Sequence, residues 1–393
     1  MSGDWVTAPL EDVCDIEYGT RVVKKRDAGI LYPVYGGGGA TFFVDRYNRE
    51  DCTIVSRFAM SKDCVRHVDG RFFLNDSGLS VAPKEQQRLT KWFLNYFLLA
   101  NSSKIYSLGR GAAQKNLDVK MFRKILVSFP RELDEQKRIV AMLDEAFAGI
   151  EATIANTEKS LANAHELAEI TLEKIITGVA TSEMVLAKAV AEDCSLSYGI
   201  VQPGSETEGG LPVVRPVDLD KPTITSSGLK RIDPERASSY QRTRLNGCEL
   251  LLCVRGTTGT VAQASETLSG ANVTRGIVPI RFAEDLVDQR FGYYLLRSGH
   301  VQSQIREKTY GAALMQINIR DLRKINLHVP ALDKQKEMVT VLRQLEDNLN
   351  SLQDIYLQKL SSLEELKQSL LQKAFSGELT AKQVGDAAEG AAA

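Results

Sequence analysis

The stretch "FRKILVSFPRELDEQKRIV" at residues 122–140 returns half a chain later as "LRKINLHVPALDKQKEMV" at residues 322–339. With Glu132 skipped, nine of the eighteen aligned positions are identical. Each copy reads as a short apolar strand, a proline and the charged start of a helix. A repeat at this spacing in a chain of 393 residues predicts two similar halves rather than one core.

The repeat extends in both directions from this stretch. Upstream, "GAAQKNLDVKMFRKI" (111–125) matches "GAALMQINIRDLRKI" (311–325), and "CDIEYGTR" (14–21) matches "CSLSYGIV" (194–201). Downstream, "EKIITGVAT" (173–181) matches "QKAFSGELT" (372–380). Each half therefore has the same order of parts: a long mixed segment, a proline and a long helix that ends at a glycine.

Both long helices carry a heptad pattern of apolar residues, which is typical of a coiled-coil seam. The predicted seam positions are Leu143, Phe147, Ile150, Ile154, Thr157, Leu161, Ala164, Ala168, Thr171 and Ile175 in the first copy, and Leu342, Leu345, Leu349, Leu352, Tyr356, Leu360, Leu363, Leu366 and Leu370 in the second. Asp134 and Asp333 suit the first turn of a helix. Gly178 and Gly377 suit a left-handed residue that stops it. Helices of this length, roughly 65 Å, need a partner for the apolar stripe, and we expect each to pair with the other.

The mixed segments predict α+β domains. "CTIVSRF" (52–58), "ELLLCVRG" (249–256) and "RGIVPIRF" (275–282) read as strands, and "TKWFLNYFLLA" (90–100) and "DQRFGYYLLRSG" (288–299) read as helices. The expected fold class is α+β, with two globular α+β domains separated by two long antiparallel coiled-coil helices in an internal pseudo-twofold repeat. The expected boundaries are 1–130, 131–182, 183–330 and 331–380, followed by a disordered tail at 381–393.

Composition excludes several classes of protein. No apolar run reaches 18 residues and no secretion leader is recognisable, which predicts a cytoplasmic protein without membrane spans. The net charge of −1 hides an alternation, because residues 1–130 carry +5 and residues 183–330 carry +2, whereas both helical segments are acidic. The mildly basic segments leave nucleic acid open as a ligand.

Catalytic and metal-binding patterns are missing from the sequence. There is no GxxxxGK[ST] or GxGxxG loop and no Asn-Pro-Pro or Asp-Pro-Pro, and the four histidines fall on different predicted elements. The six cysteines form no CxxC pair. Cys64 and His67 offer two metal ligands without a second pair at zinc-site spacing. We therefore expect neither a catalytic centre nor a metal site.

Loops rich in Arg, Gly and polar residues stand at matching places in the two halves. Arginine can donate two hydrogen bonds to guanine, Asn or Gln can pair with adenine, and Thr or a glycine backbone can hold phosphates. A solvated surface loop is the alternative reading of each one. The candidate DNA-binding residues are Arg21, Lys24, Lys25, Arg26, Tyr35, Gly37, Gly38, Arg57, Lys62, Arg110, Gln114, Lys115, Asn116, Arg215, Arg255, Thr257, Thr258, Arg275, Gln316 and Asn318.

Taken together, the doubled parts resemble the DNA-specificity (S) subunit of type I restriction-modification systems. The elements that carry the resemblance are "QKNL" (114–117) and "QINI" (316–319), Pro130 and Pro330, Gln136-Lys137 and Gln335-Lys336, and Gly178 and Gly377. The stretches "YPVYGGGG" (32–39), "IVSR" (54–57) and "FFLNDSG" (72–78) also look like parts of such a recognition domain. The resemblance covers about 380 residues, close to the whole chain.

The resemblance implies a non-catalytic subunit that binds double-stranded DNA. Residues 1–130 and 183–330 would be target recognition domains, and the helices would set the spacer between two half-sites and dock partners. Those partners would be two methyltransferase (M) subunits and two restriction (R) subunits, with no membrane involved. S-adenosylmethionine, ATP and Mg would be cofactors of the partner subunits, and this chain would need none.

Three other interpretations remain open. A coiled-coil scaffold with protein-binding ends would explain the helices but not the paired Arg- and Gly-rich loops. A single enzyme that joins recognition to cleavage conflicts with the missing motifs. The chain could also be the S subunit of a methylation-only system.

Overall fold

The structure is a computed structural model that describes residues 5–111, 114–179, 181–311, 314–376 and 378. The chain forms two compact units. Unit 1 holds the described residues of 1–157 and 357–393, and unit 2 holds the described residues of 158–356. Each long helix is thus shared between the units. The expected tail at 381–393 and Gly377 lie outside the described residues.

The first half of the chain is a mixed α+β structure. Its strands are β1 (Trp5–Pro9), β2 (Cys14–Tyr18), β3 (Tyr32–Tyr35), β4 (Phe43–Val44), β5 (Arg49–Ser56), β6 (Val65–Leu74), β7 (Gly78–Pro83), β8 (Gly109–Arg110), β9 (Asn116–Leu117) and β10 (Leu126–Pro130). Its helices are α1 (Leu10–Val13), α2 (Lys24–Asp27), α3 (Lys91–Ala100), α4 (Ser102–Ser107), α5 (Val119–Arg123) and α6 (Leu133–Thr177). Six strands form one sheet in the order β2-β7-β5-β6-β3-β4.

The second half has the same outer parts around a different sheet arrangement. Its strands are β11 (Thr181–Val185), β12 (Leu211–Val214), β13 (Thr223–Ile224), β14 (Lys230–Ile232), β15 (Leu250–Cys253), β16 (Val261–Ala264), β17 (Asn272–Val273), β18 (Ile277–Ile280), β19 (Thr309–Tyr310), β20 (Gln316–Ile317) and β21 (Asn326–Pro330). Its helices are α7 (Leu186–Ala189), α8 (Gln289–Arg297), α9 (Gly299–Lys308), α10 (Ile319–Leu322) and α11 (Leu332–Ser376). Two smaller sheets, β13-β16-β15-β18 and β14-β12-β17, replace the six-stranded sheet.

The repeated stretch of the sequence adopts the predicted structure in both halves. Strand β10 pairs antiparallel with β1, so that Trp5 faces Pro130, and β21 pairs with β11, so that Thr181 faces Pro330. Each proline ends its strand, and two residues separate Pro130 from the start of α6 while one separates Pro330 from the start of α11. The predicted strand, proline and helix start are therefore confirmed.

Both long helices contain 45 residues, and the heptad seam of α6 is confirmed because every predicted seam position is buried or half-buried. The seam of α11 differs from the prediction at one position. Leu366 is 46% exposed, and Lys367 takes the inward place. The Lys367 amine lies 5.1 Å from the centre of the Phe147 ring and 3.4 Å from a carboxylate oxygen of Glu151. A lysine can occupy such a position because its methylene stem packs while its charge reaches a partner.

The ends of the helices follow the sequence in part. Asp134 and Asp333 lie in the first turns, where their carboxylates favour the helix dipole. Helix α6 stops immediately before Gly178, but this glycine is not left-handed, contrary to the prediction. A Cβ atom there would lie 2.6 Å from the carbonyl oxygen of Lys174, so the glycine is required by close approach rather than by its φ angle.

Within each unit, the helix segments run antiparallel. In unit 1, Leu143 near the start of α6 shares an apolar core with Leu371 near the end of α11, and Phe375 packs its ring 5.1 Å from that of Phe93 on α3. In unit 2, Ile176 near the end of α6 shares a core with Leu342 near the start of α11. The expected fold class, two α+β domains with long antiparallel helices and an internal repeat, is confirmed.

A buried glutamine joins α6 to the first domain. The side chain of Gln136 is fully buried, and its oxygen accepts a hydrogen bond from the backbone N–H of Thr90, the N-cap of α3, at 2.8 Å. Its amide group donates to the carbonyl oxygens of Arg88 at 2.9 Å and Pro130 at 2.8 Å. One side chain therefore ties together the helix, the end of β10 and the start of α3.

Gln335 makes the same three contacts in the second half. Its side chain is also fully buried. The side-chain oxygen accepts a hydrogen bond from the backbone N–H of Asp288, the N-cap of α8, at 2.7 Å. The amide group donates to the carbonyl oxygens of Leu286 at 2.9 Å and Pro330 at 2.8 Å. We call these two sites the glutamine clamps. Because the two glutamines make equivalent hydrogen bonds, the same residue type is needed at this position of the repeated stretch in both halves.

A second tie lies two to three turns further along each helix, and it differs between the halves. In unit 1, the Tyr96 hydroxyl donates to Asp144, and the Phe147 ring packs edge-on against Tyr96 with 5.5 Å between the ring centres. In unit 2, Glu346 stands where the first half has Phe147, and it accepts from Tyr294 at 3.0 Å and from Arg297 at 2.7 Å. A pocket of about 120 Å³ opens beside Glu346.

Candidate nucleic-acid interface

In unit 1, the loops that follow several strands of the six-stranded sheet meet at one place. After β2 ends at Tyr18, the N–H of Gly19 donates to the carbonyl of Gly78 at 3.1 Å, and the N–H of Thr20 donates to that of Leu74 at 2.9 Å. A Cβ atom on Gly19 would lie 1.9 Å from the carbonyl oxygen of Asn75. Only glycine allows this approach.

The matching turn in unit 2 obeys the same constraint. The N–H of Ile200 donates to the carbonyl of Val273 at 2.8 Å, and a Cβ atom on Gly199 would lie 2.0 Å from that carbonyl oxygen. The tyrosine-glycine pair in "CDIEYGTR" and "CSLSYGIV" is therefore a structural requirement of both loop clusters.

Arg57 lies at the centre of the first loop cluster, directly after β5. Its backbone N–H donates to the carbonyl of Ser77 at 2.8 Å, and its Nη1 donates to the carbonyl of Asp76 at 3.1 Å. Its guanidinium carbon lies 4.8 Å from the ring centre of Tyr18 and 4.3 Å from that of Phe58. The cation is thus held against two aromatic rings.

The segment around β9 crosses this loop. The N–H of Leu117 donates to the carbonyl of Arg57 at 2.8 Å, and the N–H of Met60 donates to the carbonyl of Lys115 at 3.0 Å. Asn116 accepts a hydrogen bond from the N–H of Ala59 at 3.4 Å. Of the predicted residues, Arg57, Lys115 and Asn116 therefore come together.

The second loop cluster is built on the same backbone plan. The N–H of Ile317 donates to the carbonyl of Val254 at 3.0 Å, and the N–H of Gly256 donates to that of Met315 at 2.8 Å. Arg255 and Gln316 form a β-bridge, so the structure brings these two predicted residues together.

Tyr198 and Arg275 complete the second loop cluster. The Tyr198 hydroxyl donates to the carbonyl of Ile317 at 3.1 Å, and burial raises the pKa of this tyrosine above its ordinary value. Arg275 is exposed on the turn after β17, and its N–H donates to the carbonyl of Ile200 at 2.9 Å. The Nε atom of Arg255 is buried and has no hydrogen-bond partner among the described residues.

The strand pairing revises the alignment of the crossing segments. Arg110 faces Asn116 in the first half, and Tyr310 faces Gln316 in the second. Asn116 is therefore structurally equivalent to Gln316. The "Q-x-N" motif begins at Gln114 in the first half and at Gln316 in the second, so the two motifs are offset by two positions in the structural alignment. The ungapped repeat gives the correct pairing because strand register, not the motif, fixes these positions.

Several predicted residues are already occupied by partners within the chain. Arg110 forms an ion pair with Asp118, and Arg215 donates to both carboxylate oxygens of Asp218, at 2.8 and 3.1 Å. Asn318, the equivalent of Asp118, accepts a hydrogen bond from Tyr310 at 2.6 Å. The hydroxyl of Thr257 donates to the Cys253 sulfur at 3.5 Å, and the neighbouring Thr258 is half-buried.

The two predicted glycines have different surroundings. The Gly37 N–H donates to the Ser77 hydroxyl at 3.1 Å, and a Cβ atom on Gly37 would lie 2.4 Å from the carbonyl oxygen of Phe58. This glycine is needed for packing. Gly38 is exposed, and a Cβ atom there would meet nothing within 4 Å. The nearby Tyr35 packs edge-on against Phe72 at 5.5 Å.

The remaining predicted cations are exposed to solvent. Arg21, Lys24, Lys25 and Arg26 are exposed on and before α2, which is held near β4 by hydrogen bonds from Gly29 and Ile30 to Phe43 and Asp45. Arg26 forms an ion pair with Asp27 at 3.0 Å. Lys62 and Gln114 are exposed.

Sequence reasoning missed the aromatic members of the loop clusters. The rings of Tyr18 and Phe58 contact Arg57. The Lys115 amine lies 4.2 Å from the ring centre of Tyr106, and the Tyr310 hydroxyl donates a hydrogen bond to Asn318. The repeated tyrosine-glycine pair was the available signal for Tyr18 and Tyr198. No sequence signal connects Tyr18 to Arg57, because they are far apart in the chain.

No other chemistry emerges from the described residues. Cys64 donates to the carbonyl of Ser102 at 3.5 Å, whereas His67 packs against Trp92 with 4.6 Å between the ring centres, and no group of three metal ligands was found in the described part of the chain. None of the helices within the described ranges is long and apolar enough to cross a lipid bilayer.

Comparison with known proteins identifies a family with the same repeated organisation. The family model of the type I restriction modification DNA specificity domain matches twice, at residues 2–159 and 206–360, in agreement with the internal repeat. The chain is 24% identical over 322 residues to the specificity subunit of the type I restriction enzyme EcoBI of Escherichia coli, a match that covers 76% of this chain and 68% of that protein. It is 20% identical over 428 residues to the putative MjaX specificity subunit of Methanocaldococcus jannaschii, covering 96% and 94%.

Among solved structures, a chain from a type I R-M system aligns with a TM-score of 0.71 and 18% identity over 96% of this chain and 99% of that one, which supports the fold. The two family matches together span well over half of the sequence. The chain therefore belongs to the type I restriction-modification DNA-specificity family of non-catalytic specificity subunits, which confirms the resemblance read from its doubled parts and the expectation that it has no catalytic centre.

Proposed function

We propose that each half of this chain reads one block of a two-part DNA site. The observation that carries the proposal is the pair of loop clusters, built on the same glycine turn and crossing strand but filled with different side chains. Two domains that recognise different DNA sequences can share one backbone structure and differ in the side chains that it presents. Contacts to base edges determine which sequence is bound, whereas contacts to phosphates only fix the position of the protein on the DNA. The two half-sites should therefore differ.

The long helices are proposed to set the number of unread base pairs between the blocks. Residues 131–182 and 331–380 are the proposed spacer segments, and residues 1–130 and 183–330 the target recognition domains. The glutamine clamps support this role, since a buried side chain with three hydrogen bonds fixes the direction in which each helix leaves its domain. Half-site spacing then follows from protein geometry.

The chain is proposed to work in a complex with two methyltransferase and two restriction subunits. Net charges of +5 and +2 on the two recognition segments are small for strong binding through phosphates. Partner subunits would supply the remaining contacts to DNA and all of the chemistry. The residues proposed to touch DNA are those predicted from the sequence, with Arg57, Lys115, Asn116, Arg255, Arg275 and Gln316 at the centres of the loop clusters.

A gel-shift experiment with the full chain tests this proposal. Duplex DNA carrying the host's methylated sequence should be retained by the chain together with its methyltransferase, and much less by the chain alone. Scrambling either half-site should abolish the shifted band, whereas scrambling the spacer should leave it unchanged. A chain that retains no DNA in either preparation but captures proteins would support a coiled-coil scaffold instead.

A further inference from the structure

We propose that Arg57 reads a guanine in the first half-site. Its guanidinium, which lies over the rings of Tyr18 and Phe58, would donate two hydrogen bonds to O6 and N7 of the base in the major groove. The inference rests on the proposed function and deepens it, because it names one residue and one base. Nothing in the family membership assigns this role to a particular side chain.

Contacts within unit 1 position the guanidinium before any ligand binds. The guanidinium carbon lies 4.8 and 4.3 Å from the two ring centres, and Nη1 donates to the Asp76 carbonyl at 3.1 Å, so these three contacts limit the positions that the guanidinium can take. Holding a flexible side chain in its bound conformation lowers the entropy cost of binding. The remaining N–H groups of Arg57 have no partner among the described residues, so they are available to a planar acceptor.

The charge of Arg57 is also unneutralised, unlike that of its neighbours. Arg110 pairs with Asp118, and Arg49 pairs with Glu17 at 2.8 Å. Within the described ranges, no carboxylate lies in ion-pair distance of Arg57. Arg57 can therefore donate charge-assisted hydrogen bonds to a ligand without first losing an ion pair within the chain.

The loop that carries Phe58 is strained in a way that maintains the stack. Ala59 has a φ angle of +50°, which a residue with a side chain rarely adopts. Hydrogen bonds from the N–H groups of Ala59 and Met60 to the crossing segment, at 3.4 and 3.0 Å, hold this conformation. Tyr18 and Phe58 are nevertheless 48% and 37% exposed. Exposed aromatic rings and local strain at one arginine are typical of a binding surface rather than a core.

The rigid orientation favours a base over a phosphate. A phosphate oxygen accepts hydrogen bonds from many directions, so a mobile lysine or arginine suffices for it. The two acceptors of guanine lie side by side in one plane and require the two donors of a guanidinium to be coplanar with them. The second half provides the contrast, because no aromatic ring of the described residues lies under the guanidinium of Arg255 and its Nε is buried without a partner there.

The experiment uses the full chain in complex with its methyltransferase, after the target has been read from the host's methylation pattern. Binding is measured on duplexes in which each base pair of both half-sites is replaced in turn. Arg57→Ala should reduce discrimination at one G·C pair of the first half-site by roughly 10- to 100-fold, with the second half-site unaffected. Arg57→Lys, which keeps the charge but not the fork of donors, should lose most of the same discrimination.

Phe58→Ala provides a second variant that leaves the arginine in place. It should weaken discrimination at the same base pair by less than Arg57→Ala, because it removes one ring of the stack. Arg255→Lys is the matched control and should leave the first half-site unchanged. Thermal unfolding of each complex identifies variants that retain the fold.

Three results would overturn the inference. These are a first half-site without a G·C pair, discrimination that survives in folded Arg57 variants, and a uniform loss of affinity with a salt slope reduced by about one, the signature of a phosphate contact. Failure of the proposed function looks different, since the wild-type complex itself would then show no two-block preference.

Discussion

Where the long helices leave the two halves, Gln136 and Gln335 make the same three hydrogen bonds, whereas Arg57 and Arg255 at the loop clusters have different surroundings. The crossing strands show the same contrast, because an ion pair between Arg110 and Asp118 is replaced by a hydrogen bond between Tyr310 and Asn318. The glutamine clamps are therefore alike in both halves, whereas the second tie on each helix and the side chains proposed to face DNA differ. This division is expected of a chain whose two halves read unlike sequences across a fixed distance.

Phe147→Glu should destabilise the chain at least as much as any other change considered for these two halves. Phe147 is buried, and the first half offers no arginine at the place where Arg297 meets Glu346 in the second half. A carboxylate at this buried position would have Lys367 as a nearby cation, but that amine is already paired with Glu151. Loss of the buried ring and poor pairing of the new charge should lower the free energy of unfolding of unit 1 by about 3 kcal/mol. The reverse change, Glu346→Phe, should cost about 1 kcal/mol or less, since the ion pair is half-exposed and the adjoining pocket can accept the ring. Denaturant unfolding measures both; equal costs would contradict the distinction.

Gln136→Leu and Gln335→Leu test the equivalence of the glutamine clamps. Each change leaves one N–H and two carbonyl groups buried without their partner, which should cost about 3 kcal/mol in either half. Amide hydrogen exchange separates the two sites: Gln136→Leu should expose the amide of Thr90 and spare that of Asp288, and Gln335→Leu should do the opposite. Gln344→Leu, at an exposed position of α11, is the control and should change neither. Costs that differ by more than the control's own effect would show that the clamps are not equivalent.

Gly19→Ala and Gly199→Ala test whether both loop clusters share one backbone plan. The added methyl group would fall 1.9 or 2.0 Å from a carbonyl oxygen, so the turn must move in either variant. We expect a loss of about 2 kcal/mol in each unit and reduced DNA affinity at the corresponding half-site. Thermal unfolding and binding to duplexes with one intact half-site measure these effects. An alanine tolerated in one turn alone would show that the two plans differ.

Gly38→Ala should have the smallest effect on stability, below about 0.5 kcal/mol, because the position is open. If the glycine loop approaches the DNA backbone, affinity should fall while stability holds. A variant with unchanged affinity would remove Gly38 from the proposed contacts. Gly37→Ala, which meets the Phe58 carbonyl, gives the packing effect for comparison.

Periodic features of the fold were predictable from the sequence, and features that depend on distant neighbours were not. The seam of α6 follows from spacing within one helix, and its positions are buried or half-buried as predicted. Leu366 was placed wrongly because the inward turn of Lys367 depends on Glu151 and Phe147 in another part of the chain. The heptad alone cannot report such a partner.

The candidate site shows the same limit. The sequence predicts Arg57, Arg110 and Arg215 equally as DNA-binding residues, because each is an arginine in a polar loop. The fold distinguishes them, because Asp118 and Asp218 neutralise two of them while Tyr18, almost forty residues away, stacks on the third. The glutamine clamps were visible as identical letters in the repeat, but their partners on α3 and α8 could not be read from the sequence.

We propose that the two halves, which carry different side chains at their loop clusters, read two half-sites across a fixed spacer. The most direct test of this proposal is the complete set of DNA sequences methylated by the full chain with its methyltransferase. We predict two short, unlike blocks separated by a constant number of base pairs whose identity is free. A single uninterrupted block, or two blocks at variable separation, would contradict it.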